Sequence, residues 1–200
     1  MRPVADLCDL QDVKVRHRIK SDDTRWDALI TAWIPAASAA VEAYAGGQQF
    51  SRDDVASTRV YTMTTSGEVV IDNLAEPPTA VTLHDQVTGA LVEDLTAQVV
   101  TEPRNLPAGG TRPITTLTFR TATIRDGAEI HVTGLWGCPS VPLVVKEAVI
   151  WTVRDWLREA QAVVDEAPDI EPGSAGPAGR GIPARAQMLL DKVYDWRVPE

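Results

Sequence analysis

No stretch of these 200 residues approaches the 18 or so consecutive apolar positions that a membrane-crossing helix needs. The opening MRPVADLCDLQDVK also lacks the apolar run of a secretory leader, so the chain is expected to fold in a cytoplasm. Cysteine is nearly absent: Cys8 and Cys138 stand far apart with neither CxxC nor Cys/His spacing, and read as reduced, incidental thiols. Positive charge is in deficit, with 28 acidic residues against 19 basic ones and a net charge of -9. Such a chain repels a phosphate backbone, so nucleic acid coming close should pass without sticking.

Histidine is scarce too, and His17, His84 and His131 fall on different predicted elements without a ligand partner at helical or strand spacing. The pair His84-Asp85 comes nearest to a base with an orienting acid. No GxSxG elbow or other nucleophile signature accompanies it, and a polar pair at a turn edge is the better reading. Asp22-Asp23 and Asp53-Asp54 are adjacent acids that would not face one another on a helix; capping explains both. The glycine pairs at 46-47 and 109-110 lack the strand-to-helix context and the lysine of a phosphate loop. No catalytic residue, metal ligand or cofactor is assigned from these residues.

What is present is an ordinary globular composition, 44% hydrophobic and 24% charged, in a chain long enough to bury its own core. Residues 9–18 read as a short helix with Leu10, Val13 and Val15 inward. Ser21, Asp22 and Asp23 then offer an N-cap and first-turn acids to a long helix. Its stripe is Trp26, Leu29, Ile30, Trp33, Ile34, Ala37, Val41 and Tyr44, at helical spacings of three and four. Pro35 should kink this helix, and Gly46 and Gly47 should stop it. From 58 to 134 the pattern becomes alternating and β-branched, in TRVYTM, EVVIDNL, TAVTLHD, ALVED, TAQVV, ITTLTFR and AEIHVTG, punctuated by Gly and Pro turns. These are strands of a small antiparallel sheet inserted between helices.

A further helix over 142–162 places Val145, Val149, Val153, Trp156, Leu157 and Ala160 on one face, with Arg154, Asp155, Arg158 and Glu159 roughly opposite. Its first half adds Leu143, Val144, Ile150 and Trp151 on the other side, so that half should be covered all round, by the sheet or by a neighbouring subunit. The spacer 165–181, DEAPDIEPGSAGPAGRG, holds too few large apolar groups to offset the entropy of ordering and reads as a flexible linker. After it Ile182, Ala186, Leu189, Leu190 and Val193 form a stripe, and Tyr194 and Trp196 add the aromatic area common at interface centres. An isolated helix this short is marginal in water, so a partner is expected to complete it. The expected architecture is α+β: a helical bundle over 1–164 with an antiparallel β-sheet inserted at about 58–134, the linker 165–181 and a docking helix over 182–200.

Two long phrases carry a family resemblance. The first, DLCDLQDVKVRHRIKSDDTRWDALITAWIPAASAAVEAYAGGQQF, places a short helix and an acidic turn before a long helix ending in Val41, Glu42, Tyr44 and Gly46. The second, HVTGLWGCPSVPLVVKEAVIWTVRDWLRE, runs strand, glycine turn, Val141-Pro142, then a helix with Ala148 and Ile150. In this order, over nearly the whole chain, they resemble the head-to-tail adaptor (connector) proteins of tailed phages. The resemblance implies a structural, non-enzymatic virion protein, assembled in the bacterial host cytoplasm. It would form a ring, commonly of twelve copies, beneath the portal and extend the DNA channel toward the tail. Implied partners are the portal protein, a head-closure or tail-proximal connector protein, and other copies of the chain. The family's carboxy-terminal segment often reaches into the portal, which here means Ile182, Ala186, Leu189, Leu190, Val193, Tyr194 and Trp196. Leu143, Val144, Ile150 and Trp151 are the candidates for the contact between subunits. Two other readings stand beside this one: a carbohydrate- or protein-binding β module with helical flanks, using the loops at 105–112, and a small hydrolase with an unrecognised site.

Overall fold

The computed structural model describes residues 5–63, 67–103, 112–120, 128–166 and 181–194. The chain divides into a helical unit, Met1–Gly47 with Leu143–Glu200, and a sheet unit, Gln48–Pro142. The helical unit holds α1 (Leu10–His17), α2 (Asp27–Tyr44), α3 (Leu143–Glu166) and α4 (Ala184–Tyr194).

A reciprocal cap starts α1. The Asp9 carboxylate accepts from the Asp12 amide at 2.7 Å, and the Asp12 carboxylate accepts from the Asp9 amide at 3.0 Å. Two amides without intrahelical partners are thereby satisfied. Val13 is buried but Val15 faces solvent. The two residues lie about 200° apart around the helix axis, so both could not point inward as expected.

The acidic turn does not cap α2 either. The Asp23 carboxylate accepts from the Arg25 amide at 3.2 Å in a local turn, the kind of side-chain bond that competes with helix formation. Trp26 then occupies the N-cap without a side-chain bond, and Asp27 is the first-turn acid. Lys14 on α1 reaches the Asp27 carboxylate at 2.8 Å. Beyond that point most of the expected stripe is buried, in Trp26, Ile30, Trp33, Ile34, Ala37 and Val41, but Leu29 is only half-buried and Tyr44, expected inward, is exposed with its hydroxyl donating to Asp191. The helix continues through Pro35 and stops where Gly46 and Gly47 adopt positive φ (70° and 79°). α2 packs against α3, with Trp33 and Trp156 edge to face at 6.3 Å between centroids. Such a pair contributes roughly 0.5–1.5 kcal/mol beyond the area it buries.

Among the described residues the sheet unit contains seven strands: β1 (Ser57–Thr62), β2 (Glu68–Leu74), β3 (Ala80–His84), β4 (Leu91–Asp94), β5 (Val99–Glu102), β6 (Ile114–Phe119) and β7 (Glu129–Gly134). Six lie where alternation predicted them, whereas Thr96–Gln98 of the predicted TAQVV strand form a 3-10 turn and β5 starts only at Val99. They form two antiparallel sheets rather than the one expected, ordered β1-β7-β3-β4 and β2-β6-β5. The consecutive strands β1 and β2 do not pair with each other. Instead β1 runs along β7, from Ser57 opposite Gly134 to Thr62 opposite Glu129. Inward residues of both sheets share one core, including Val69, Ile71, Val81, Leu117, Ile130 and Val132 around Trp136. The period-two burial along β7 and β2 is the pleat expressed as packing. Trp136 satisfies its indole N–H on the Ser57 carbonyl at 2.9 Å.

Candidate assembly surface

The two surfaces expected to face partners both lie on the helical unit. α4 begins after Pro183, whose carbonyl accepts from the Ala186 amide at 2.8 Å, and lies along α3. Ile182, Ala186 and Leu190 are buried within their own unit. The stripe expected to lack shelter is thus covered in part by its own chain, because α3 is long enough to offer one face to α2 and another to α4. Leu189 is half-buried and Met188 is exposed. The side chains of Val193 and Tyr194, and all of Trp196, lie outside the described residues, as does most of the linker, 167–180. α3 itself continues to Glu166, past its expected end.

The first half of α3 is covered unevenly. Leu143 is 69% exposed, Val144 and Trp151 are half-buried, and Ile150 is buried. His17 of α1 covers part of this half. Its Nε2–H donates to the Ile150 carbonyl at 3.4 Å, and its ring meets Trp151 edge-on at 6.4 Å between centroids. Burial, followed by the nearby Arg154 and Arg16 guanidiniums, pulls the His17 pKa below its ordinary 6.5 despite that bond.

Trp151 lies beneath two cations. The Arg185 guanidinium is 3.8 Å from the ring centroid and that of Arg154 is 4.6 Å away, which makes each a cation–π contact. Around them are two clefts, of about 330 Å³ and 320 Å³, that share Arg154 and Arg158 in their walls. Arg16 and Arg18 line the first and Arg185 the second. The arginines converge from α1, α3 and α4 and were not singled out in the sequence. The one local signal was the like-charge pair Arg154 and Arg158, four residues apart on a helix, a spacing that costs rather than stabilises.

The sheet unit brings together residues that the sequence kept apart. His84 on β3 and His131 on β7 stack with centroids 3.8 Å apart and ring planes 12° from parallel. His131 bonds Glu129 at 2.8 Å, whereas Asp85 turns away to accept from the amides of Val87 and Thr88 at 3.0 and 2.7 Å. Those amides hold the Asp85 carboxyl below its ordinary range, led by Thr88. His84-Asp85 is therefore a polar turn edge. Asp53 accepts from the Gln49 side chain at 2.7 Å. Among the described residues no three His, Cys, Asp or Glu side chains converge as metal ligands would. Cys8 and Cys138 are both buried. Burial, with the Asp12 charge adding to it, pushes the Cys8 thiol up to about 12. The loop residues 105–111 and the glycine pair 109-110 lie outside the described residues.

Taken together the described residues make an α+β protein, with four helices in one unit and two antiparallel sheets in the other. No family model matches the sequence, and no curated protein matches it. Among solved structures it is similar to a chain from the neck of an empty GTA particle computed with C6 symmetry, at TM-score 0.52 and 15% identity over 100% of this chain and 94% of that one. It is also similar to a chain from the virion of a native gene transfer agent (GTA) particle, at TM-score 0.46 and 14% identity over 97% of this chain and 91% of that one. At these identities the likeness is one of fold.

Proposed function

We propose that the chain is a structural, non-enzymatic neck protein of a phage-like particle: a head-to-tail adaptor that forms a ring beneath the portal and extends the DNA channel toward the tail. The observation that carries this reading is the end-to-end fold likeness to a neck chain, with 100% of this chain and 94% of that one superposed. The two adaptor-like phrases, at 6–50 and 131–159, support it independently. So does the net charge of -9, because a conduit that neutralised phosphates would brake the DNA sliding through it.

In this reading Ile182, Ala186 and Leu190 anchor α4 on α3, while Leu189, Val193, Tyr194 and Trp196 engage the portal. The open end of α3 at Leu143 and Val144 faces the next copy in a ring of about twelve, the number implied by the adaptor resemblance and compatible with closure of head-to-tail contacts. Electron microscopy of the purified chain mixed with its portal tests the reading: an annular layer should appear below the portal. Deleting residues 182–200 should abolish that layer. A portal that gains no layer from the intact chain, or an equally occupied layer from the truncated one, overturns the assignment.

A further inference from the structure

We infer that the arginine-lined cleft of the helical unit receives the acidic outer strand β4 of a second copy of this chain. The inference rests on the ring reading and adds to the contact at Leu143 and Val144 a charged contact between neighbouring copies.

The cleft is an unusual feature in a chain carrying a net charge of -9. Arg154, Arg158 and Arg185 share their cleft with a single carboxylate, Asp155. In the adjoining cleft Arg16 is held by Glu147 at 2.8 Å, while Arg18 and Arg158 form no ion pair among the described residues. Five like charges gathered around three helices repel one another, and the depressed pKa of His17 registers the field of two of them, Arg154 and Arg16, behind the larger effect of burial. An anionic ligand relieves that repulsion. All five cations are arginines, whose planar forks match carboxylates or phosphates two bonds at a time.

Carboxylate is the better match. Clefts of about 330 Å³ and 320 Å³ admit one or two side chains, whereas duplex DNA is held across an extended surface. Trp151 offers no open ring to stack on a base, since guanidiniums already lie over it.

The complementary surface is on the sheet unit. β4 is the outermost strand of its sheet, and all four of its residues are exposed. Leu91 and Val92 are 61% and 60% exposed, and the next two residues are Glu93 and Asp94, neither with a cation partner among the described residues. Both carboxylates are held in place, Glu93 by the Gln98 side chain at 2.9 Å and Asp94 by the Thr96 hydroxyl and amide. The two acids complement the arginines, and the two apolar residues before them bring exposed aliphatic surface to the half-buried rim of Trp151. An unpaired edge with exposed aliphatic residues is also a surface that proteins ordinarily cover. Because cleft and strand are different surfaces, the contact is head-to-tail, and repetition closes a ring wherever the rotation per copy divides a full turn.

A charge-swap experiment on the full-length chain tests this, with self-association followed by sedimentation over a concentration series at low and high salt. Circular dichroism confirms that each variant folds. Wild type should associate, less so at high salt. Arg154→Glu/Arg158→Glu and Glu93→Arg/Asp94→Arg should each lose roughly tenfold or more in association constant, in the range for close charge pairs at interfaces. Mixing the two variants one to one should restore association, because each then meets a partner of opposite sign on both sides. Folded variants that associate as well as wild type overturn the inference and leave the ring reading intact. So does a mixture that fails to recover, or a wild type that stays monomeric at every concentration while still adding a layer to the portal. If the cleft variant instead loses retention of duplex DNA, the cleft is a phosphate site and the inference falls.

Discussion

At the level of single residues, the helical unit carries a built-in pH dependence. His17 is kept neutral in the fold, first by burial and then by Arg154 and Arg16, so its folded pKa lies below the ordinary 6.5. The folded state then binds fewer protons than the unfolded one as pH falls through 6.5, and stability present above that value drains away below it. Thermal melts should therefore show a lower midpoint near pH 5.5 than near pH 7.5. The His17→Gln chain, which keeps a donor for the Ile150 carbonyl, should show a flatter profile; an unchanged slope would remove His17 as the cause. A second sensitive residue is Gly137. Its φ is 107°, and an added Cβ would run into the Ser51 carbonyl. The Gly137→Ala chain should lose at least about 2 kcal/mol from backbone strain alone. Urea unfolding of the sheet unit, followed through Trp136 fluorescence, would show it.

At the level of elements, α4 presents the main question, because Ile182, Ala186 and Leu190 are buried within its own unit while Leu189 beside them is only half-buried. Leu190 is 1% exposed, so Leu190→Asp forfeits about 1.5–3 kcal/mol of burial and adds the cost of an unpaired carboxylate. Amide exchange along Ala184–Tyr194 should rise to that of an unprotected segment while α2 and α3 stay protected. Persistent protection in α4 would mean that something other than the α3 groove holds it. Six of the strands were legible because period-two alternation and turn residues are local signals, whereas β5 begins later than read because Thr96–Gln98 form a 3-10 turn. Their division into two sheets was not, since β1 chooses β7 over its sequence neighbour β2 through contacts remote along the chain. The buried stripes of α2 and α3 were legible for the same local reason. The helix starts were less so: Asp23 satisfies the Arg25 amide rather than capping α2. The covered face of α4 was missed because periodicity shows which face is apolar and is silent about what covers it. The arginine cleft was missed because Arg16, Arg18, Arg154, Arg158 and Arg185 meet only once three helices have packed.

For the whole molecule, two opposed electrostatic features decide what it does near DNA. The net charge of -9 repels phosphate at every distance within the Debye length, whereas the arginine cleft attracts it locally. Non-specific affinity grows with the number of phosphates neutralised, and its slope against salt counts them. A few arginines recessed in a small cleft beside Trp151 neutralise few phosphates, while the surrounding carboxylates repel many. The long-range term should therefore win, and a mobility-shift titration of full-length chain against a 30-base-pair duplex should show no retention at about 150 mM salt, where non-specific binders typically hold DNA with Kd near 10⁻⁴–10⁻⁶ M. Lowering the salt tenfold should strengthen repulsion and attraction together and leave the duplex free. Retention at low salt that disappears steeply as salt rises would show that the cleft dominates, and would make the protein a grip on DNA rather than the passage proposed above.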